Sequence, residues 1–278
     1  MLNKNASVAN DTHPEFQNAG TIPSGLNRNI RVRSVNQFEQ VFAETSRTKK
    51  LLANQLLGAQ TDQDFARLLP HLEPVSLAAG ETLFDAGEKI RFLYFPEDAA
   101  ISNLQAMADG GASEIALVGS EGMIGLGALF GSCPPAYSAE VTLAGTALRI
   151  KTEVLKQEFD HSARLQAVLL NYANSHIAQI SQRAVCHIHH LAEARFCSWL
   201  LMLQDRAKNN LLPLTQDRIA LHLGVNRPSV THIAQALRER GIINYVRGYI
   251  NILNRQGLED SACECYSVIK ENFQTIPL

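Results

Sequence analysis

The sequence predicts an α+β chain with an N-terminal double-stranded β-roll of jelly-roll type, a long helix, and a C-terminal winged helix-turn-helix. Three observations predict it. Short apolar runs punctuated by Gly and Asp occupy about residues 75 to 151. A segment from about His161 to Arg206 has no Gly or Pro and repeats apolar residues every three or four positions. Residues 215 to 241 read as two short amphipathic helices hinged at Gly224.

Residues 1 to about 35 are rich in Asn, Ser, Thr, Gly and Pro without an apolar period, which predicts a disordered tail within an extension reaching residue 50. Helical patterns follow around Val35 to Glu44 and Thr61 to Leu69. The roll, expected over residues 51 to 160, takes its strands from runs such as Thr82-Leu83-Phe84, Arg91 to Phe95, Glu114 to Val118 and Ala147 to Ile150. The period then lengthens to about 3.6: Leu169, Ala173, Ile177, Ile180, Ala184, Ile188 and Leu191 form one apolar stripe on a helix over residues 161 to 207. One small domain cannot cover a stripe of that length, so a homodimer is expected.

The segment 208 to 278 is expected to form the nucleic-acid-binding domain. Thr215 can cap the first helix, from Gln216 to Leu223; Asn226 can cap the second, with Pro228 in its first turn and Gly241 after its last. Val230, Ile233, Ala234 and Leu237 share one face and should pack on Ile219, Ala220, Leu223 and Val225. The opposite face presents Arg227, Ser229, Thr231, His232 and Gln235. An α-helix fits the DNA major groove, where Arg reads guanine, Gln reads adenine and Thr touches a thymine methyl. Ile242 to Val246 and Tyr249 to Leu253 alternate around Arg247-Gly248 as a β-hairpin, placing Arg247 at the tip of a wing, beside the phosphate backbone.

A chain of 278 residues has room for about two domains. No run reaches ~18 apolar residues and no apolar signal core opens the sequence, so neither a membrane partner nor secretion is expected, and the cytoplasm is the expected compartment. The net charge of −2 conceals a division: residues 72 to 160 carry 5 Lys or Arg against 13 Asp or Glu, whereas residues 211 to 256 carry 6 Arg against Asp217 and Glu239. The positive end is the side that would attract phosphate. No nucleophile with its base, carboxylate pair or Walker loop stands out, so no catalysed reaction is expected.

The order of roll, long helix, helix-turn-helix and wing resembles the Crp/Fnr family of bacterial transcription regulators, over about Leu51 to Leu253. Ala79-Gly80-Glu81-Thr82-Leu83-Phe84, Ala86-Gly87-Glu88 and Tyr94-Phe95-Pro96-Glu97 are similar to the family's early strands and turns. The resemblance implies a homodimer on a palindromic double-stranded operator, RNA polymerase as a further partner, and Arg227 opening the recognition helix. Pro228 stands where some members place a glutamate that reads cytosine, so the operator sequence does not carry over.

The resemblance also implies an effector pocket in the roll at Gly122, Gly125, Leu126, Tyr137 and Ser138, with Ser181 facing it from the long helix. Cyclic-nucleotide-binding members hold the ribose with an acidic residue and the phosphate with an arginine; here Leu126 and Tyr137 occupy those places. A buried cyclic phosphate would lack its cation, so another small effector, or none, is expected.

The five cysteines read as reduced thiols, and none precedes Cys133, which excludes the N-terminal iron–sulfur cluster of some members. Cys186, His187, His189 and His190 crowd one stretch, but helical spacing pairs Cys186 only with His189 or His190, and Cys263 and Cys265 read as packing residues. No metal ligand set is therefore assigned. The expected function is a homodimeric, sequence-specific transcription regulator with a sensing roll. Two alternatives are a cyclic-nucleotide-binding module acting through protein contacts and a haem- or metal-sensing regulator.

Overall fold

The computed structural model describes residue 49 and residues 51–274, apart from 109 and 132; the expected tail and the helix expected over Val35 to Glu44 lie outside the described residues. Two short helices, α1 (Gln55–Gly58) and α2 (Asp62–Leu68), start on the side-chain caps Asn54 and Thr61. Asn54 also donates from Nδ2 to Pro96 O (3.0 Å) and Gly122 O (2.8 Å), which pins α1 to the roll.

The roll comprises β1 (Glu73–Leu77), β2 (Thr82–Phe84), β3 (Phe92–Pro96), β4 (Ala100–Ala106), β5 (Ala112–Val118), a short α3 (Gly127–Phe130), β6 (Ser138–Leu143) and β7 (Gly145–Lys151). Two antiparallel sheets run in the orders β1-β7-β3 and β2-β6-β4-β5. Leu93, Phe95, Ile101, Val141, Leu148 and Ile150 point between them and are at most 1 % exposed, so the alternating runs of the sequence become the inner faces of a sandwich.

From β7 the chain enters α4 (Thr152–His161), then α5 (Ala163–His189), which Ser162 caps by accepting from Leu165 N (3.1 Å). The continuous helix expected to Arg206 is interrupted: His190 and Leu191 are extended, and α6 (Ala192–Ala207) starts afresh. The reason is tertiary. α6 is buried from Arg195 to Gln204, and Phe196, Trp199, Leu200, Leu201 and Leu203 are fully covered. Each such side chain contributes about 1.5–3 kcal/mol, against about 1 kcal/mol for each backbone hydrogen bond given up at the break. A straight helix would leave that surface in water.

Two faces of α5 have different environments. Tyr172, Gln179 and Arg183 are buried towards the roll, with Tyr172 Oη donating to Met123 O (3.0 Å) and Gln179 Nε2 to Leu117 O (3.0 Å). On the other face Leu170, Ile177, Val185 and Ile188 are exposed, as is Leu191 beyond the helix. Leu169, expected in the exposed stripe, instead lies wholly in the chain's own core.

The C-terminal domain contains β8 (Leu211–Leu212), α7 (Gln216–Leu223), α8 (Arg227–Glu239), β9 (Ile243–Val246), β10 (Tyr249–Ile252), α9 (Arg255–Ser261) and α10 (Cys265–Gln274). Its sheet has the order β8-β10-β9. The single helix expected from Leu258 to Phe273 is two, parted at Ala262–Glu264, which lets α10 fold back along α5, where Ser175 Oγ donates to Asn272 O (3.1 Å). Among the described residues no helix is long and apolar enough to cross a membrane.

Candidate nucleic-acid interface

The α7–α8 pair is specified locally at every end. Thr215 Oγ1 accepts from Arg218 N (3.3 Å), Gly224 turns the chain at φ +61°, and Asn226 Oδ1 accepts from Ser229 N (2.9 Å). Val230, Ala234 and Leu237 are buried on Ile219, Ala220 and Leu223, with Ile233 and Val225 partly covered. The opposite face is open: Arg227, Thr231, His232 and Gln235 are exposed, and Ser229 is half-buried beneath Asn226 (2.7 Å). Thr231 Oγ1 donates to Gln216 Oε1 (3.0 Å), Gln235 Nε2 to Glu239 Oε1 (2.9 Å), and Arg227 lies 3.5 Å from Asp217. These partners are themselves on the surface, so a duplex can replace them. A shallow groove beside α8 is lined by Gln216, Thr231, Gln235, Arg238 and Tyr245. Arg247 is exposed at the β9–β10 tip in a left-handed conformation, φ +47°.

The positive charge available to a duplex is narrower than the sequence count implies. Arg218 is held by Glu140 of the roll (2.5 Å), Arg240 by Glu193 (2.6 Å), and Arg255 by Asp205 and Glu259 (2.9 Å each). These three tie the domain to the rest of the chain, whereas Arg227, Arg238 and Arg247 are exposed.

The six residues expected to line an effector pocket are taken up by contacts within the chain itself. A Cβ on Gly122 would come within 2.5 Å of the Tyr172 hydroxyl, and one on Gly125 within 2.7 Å of Leu93 Cδ2. Leu126 is buried at the start of α3, Tyr137 packs against Phe84 with ring centroids 5.8 Å apart, and Ser138 donates to Leu104 O (3.5 Å). Ser181 corrects the sequence reading most plainly: it is exposed and donates back to Ile177 O (2.9 Å), away from the roll. The large, fully buried side chain of Tyr172 fills the space beside Gly122.

Sequence reasoning missed the residues that join the two domains. Glu114 of β5 is fully buried and accepts from Ser102 Oγ (2.6 Å) and Trp199 Nε1 (3.0 Å); Arg183 of α5 donates to it at 3.2 Å. His222 of α7 lies 3.2 Å from the same carboxylate and stacks on the Trp199 indole at 5.1 Å. Burial pushes the Glu114 carboxyl up, but His222, Arg183 and Ser102 outweigh it and hold it below the usual carboxylate range. Four elements thus meet on one anion. The available signal was a glutamate inside an apolar strand and the chain's single tryptophan, neither of which names its partner.

Beside this junction, His176 is half-buried against Tyr172, with Nε2 3.4 Å from Asn103 Nδ2. Desolvation lowers it to about 4, with Glu121 opposing. The native state therefore resists a proton that the unfolded chain accepts near 6.5. This group's contribution to stability is complete above that pH and is lost as pH drops towards 4, a loss on the order of 1–3 kcal/mol for a half-buried imidazole. Urea unfolding between pH 7 and 4 should show that loss in the wild type and a flatter profile in His176→Gln; equal slopes would refute the assignment.

Residues 74–162 match the cyclic nucleotide-binding domain and residues 194–261 the Crp-like helix-turn-helix domain. No curated protein is significantly similar in sequence. Among solved structures, a candidate crp/fnr-family transcriptional regulator from Eubacterium rectale aligns with a TM-score of 0.61 at 17% identity, over 74% of this chain and 97% of that one. FixK2 from Bradyrhizobium japonicum aligns at 0.59 and 17%, over 69% and 98%. The c-di-GMP responsive global regulator CLP from Xanthomonas campestris aligns at 0.58 and 16%, over 69% and 99%. At these identities the likeness is one of fold.

Proposed function

Since the chain belongs to the Crp/Fnr family of transcription regulators, with a cyclic nucleotide-binding-like roll joined to a Crp-type DNA-binding domain, we propose that it binds a two-fold symmetric operator as a homodimer. In this reading α8 enters the major groove. Arg227, Ser229, Thr231, His232 and Gln235 face the bases, and Arg247 meets a phosphate and sets register. The observation that carries the reading is the open polar face of α8, backed by a capped, tightly packed α7. The exposed stripe of Ile177, Ala184, Ile188 and Leu191 supports pairing of two α5 helices, which would present two recognition helices to successive grooves. RNA polymerase is the protein partner this reading implies.

The effector is, in this proposal, a molecule other than a conventionally bound cyclic nucleotide. Leu126 offers a ribose no carboxylate, Tyr137 offers a cyclic phosphate no cation, and Tyr172 crowds Gly122. A signal from the roll has a short route to α7 through Glu114 and through the Arg218–Glu140 pair.

Anisotropy titrations against selected genomic duplexes test the reading. Affinity should fall with rising salt, as phosphate contacts release counterions. Arg227→Ala should cost about 1–3 kcal/mol on the selected site and relax its preference. Adding cyclic AMP should leave the curves unchanged. Salt-independent binding, or selectivity untouched by Arg227→Ala, would count against the DNA reading; a large shift with cyclic AMP would overturn the effector reading.

A further inference from the structure

Cys186 lies in the last turn of α5, His190 caps that helix, Cys263 sits in the link between α9 and α10, and Cys265 begins α10. Their Sγ and imidazole nitrogen atoms all fall within 4.8 Å of one another. Cys186 Sγ is 3.5 Å from Cys263 Sγ, and Cys265 Sγ is 3.5 Å from His190 Nδ1. A tetrahedral zinc with ordinary bond lengths needs S···S edges of about 3.8 Å and S···N edges of about 3.6 Å. We propose that Cys186, His190, Cys263 and Cys265 bind one zinc ion, which clamps α10 and the α9–α10 link to the end of α5 at the break before α6.

The surroundings fit a thiolate–metal unit better than thiol packing. The three cysteines are at most 8 % exposed and form their own small cluster, separate from the main core and flanked by Ala194. Polar groups turn towards the sulfurs: Gln182 Nε2 donates to Cys265 Sγ (3.1 Å) and Ser198 Oγ lies 3.1 Å from Cys263 Sγ. The outer nitrogen of His190, Nε2, is 3.2 Å from Glu264, the carboxylate–histidine arrangement that directs the other nitrogen at a metal. Three thiolates, a neutral imidazole and Zn²⁺ carry a net charge of −1. The buried Arg195 guanidinium lies within electrostatic reach of Cys186 and Cys263 and offsets it.

The donor set selects the metal class. Three soft sulfurs and one imidazole suit zinc and not oxygen-seeking Mg²⁺ or Ca²⁺. An iron–sulfur cluster would interpose its inorganic core and hold the ligands further apart. Four protein ligands leave no position for substrate, so the site is a structural one. Binding at this place ties residues of the helix break to residues more than 70 positions later in the chain, and so sets the angle at which the DNA-binding domain leaves α5.

Elemental analysis of full-length protein purified under reducing conditions should find about one zinc per chain. Reduced apoprotein titrated with Co²⁺ should develop thiolate charge-transfer and tetrahedral d–d absorption, displaced by zinc. Cys186→Ser and Cys265→Ser should each lower metal content by about tenfold or more, whereas His190→Cys should retain it. Because the cobalt titration uses the wild-type chain, variants that fail to fold do not remove the test. Metal-free protein that gives no cobalt–thiolate spectrum, undiminished zinc in Cys265→Ser, or a Cys186–Cys263 disulfide as the resting state would overturn the proposal. None of these readouts involves DNA, so a failure of operator binding with zinc intact would sink only the reading of α8.

Discussion

Replacing Glu114 by alanine is expected to destabilise the protein by about 3–5 kcal/mol, because it strands the Arg183 guanidinium, 3 % exposed, without its anion. The loss also removes the acceptor of Trp199 Nε1 and the partner of His222, so α7 loses its charged anchor on β5. Trp199 is the chain's only tryptophan and stacks on His222, so its fluorescence reports the junction directly. Urea titration followed at that signal and by far-UV circular dichroism measures both effects. The double variant Glu114→Ala with Arg183→Met should recover much of the lost stability, since it removes the unpaired charge as well as the pair. A cost below about 1 kcal/mol for Glu114→Ala would mean that water reaches the site and that this carboxylate does not hold the two domains together.

Ile177→Glu is expected to convert the proposed homodimer into a monomer. Ile177 is 62 % exposed in the single chain, and the positions seven before and after it, Leu170 and Ala184, are exposed with it. A repeat of seven along a helix is the seam of a two-stranded coiled coil. A glutamate there would face its own copy across the two-fold axis, desolvating two like charges. With one recognition helix per particle, affinity for a two-half-site operator should drop by about 10²–10⁴-fold while affinity for a single half-site changes little. Sedimentation and anisotropy on both duplexes check this. A variant that sediments as a dimer would place the interface on another surface.

The parts of the fold that were legible in the sequence are those set by neighbours along the chain. Thr215, Gly224, Asn226, Pro228 and Gly241 mark the ends of α7 and α8 through bonds spanning three or four residues and through backbone angles that glycine adopts freely. The strands at Thr82–Phe84 and Phe92–Pro96 follow from alternation, and the wing from two β-branched runs around Arg247-Gly248. The exposure of His232 and Gln235 follows from the buried face behind them, because a helix with one face covered has only the other to offer.

The misreadings share a cause. The stretch from Ala163 to Ala207 contains nothing that breaks a helix, yet it bends at His190–Leu191 because ten consecutive residues of α6 find cover only if the chain turns. Two apart on one helix, Cys263 and Cys265 would face different ways, but Cys263 lies before α10 begins and meets Cys265 and Cys186. Ser181 satisfies its hydroxyl on its own helix and turns from the roll.

The order of elements, their caps, the β9–β10 hairpin and the open polar face of α8 were determined by the sequence itself, through interactions closed within a few residues and through apolar periods that admit one secondary structure. Only the tertiary structure decided that Glu114, Arg183, Trp199 and His222 share one buried site, that three cysteines and a histidine meet at the helix break, and that Tyr172 occupies the space beside Gly122. Such meetings join residues separated by tens of positions, and their free energy depends on which surfaces the whole chain manages to cover, a quantity no local window contains.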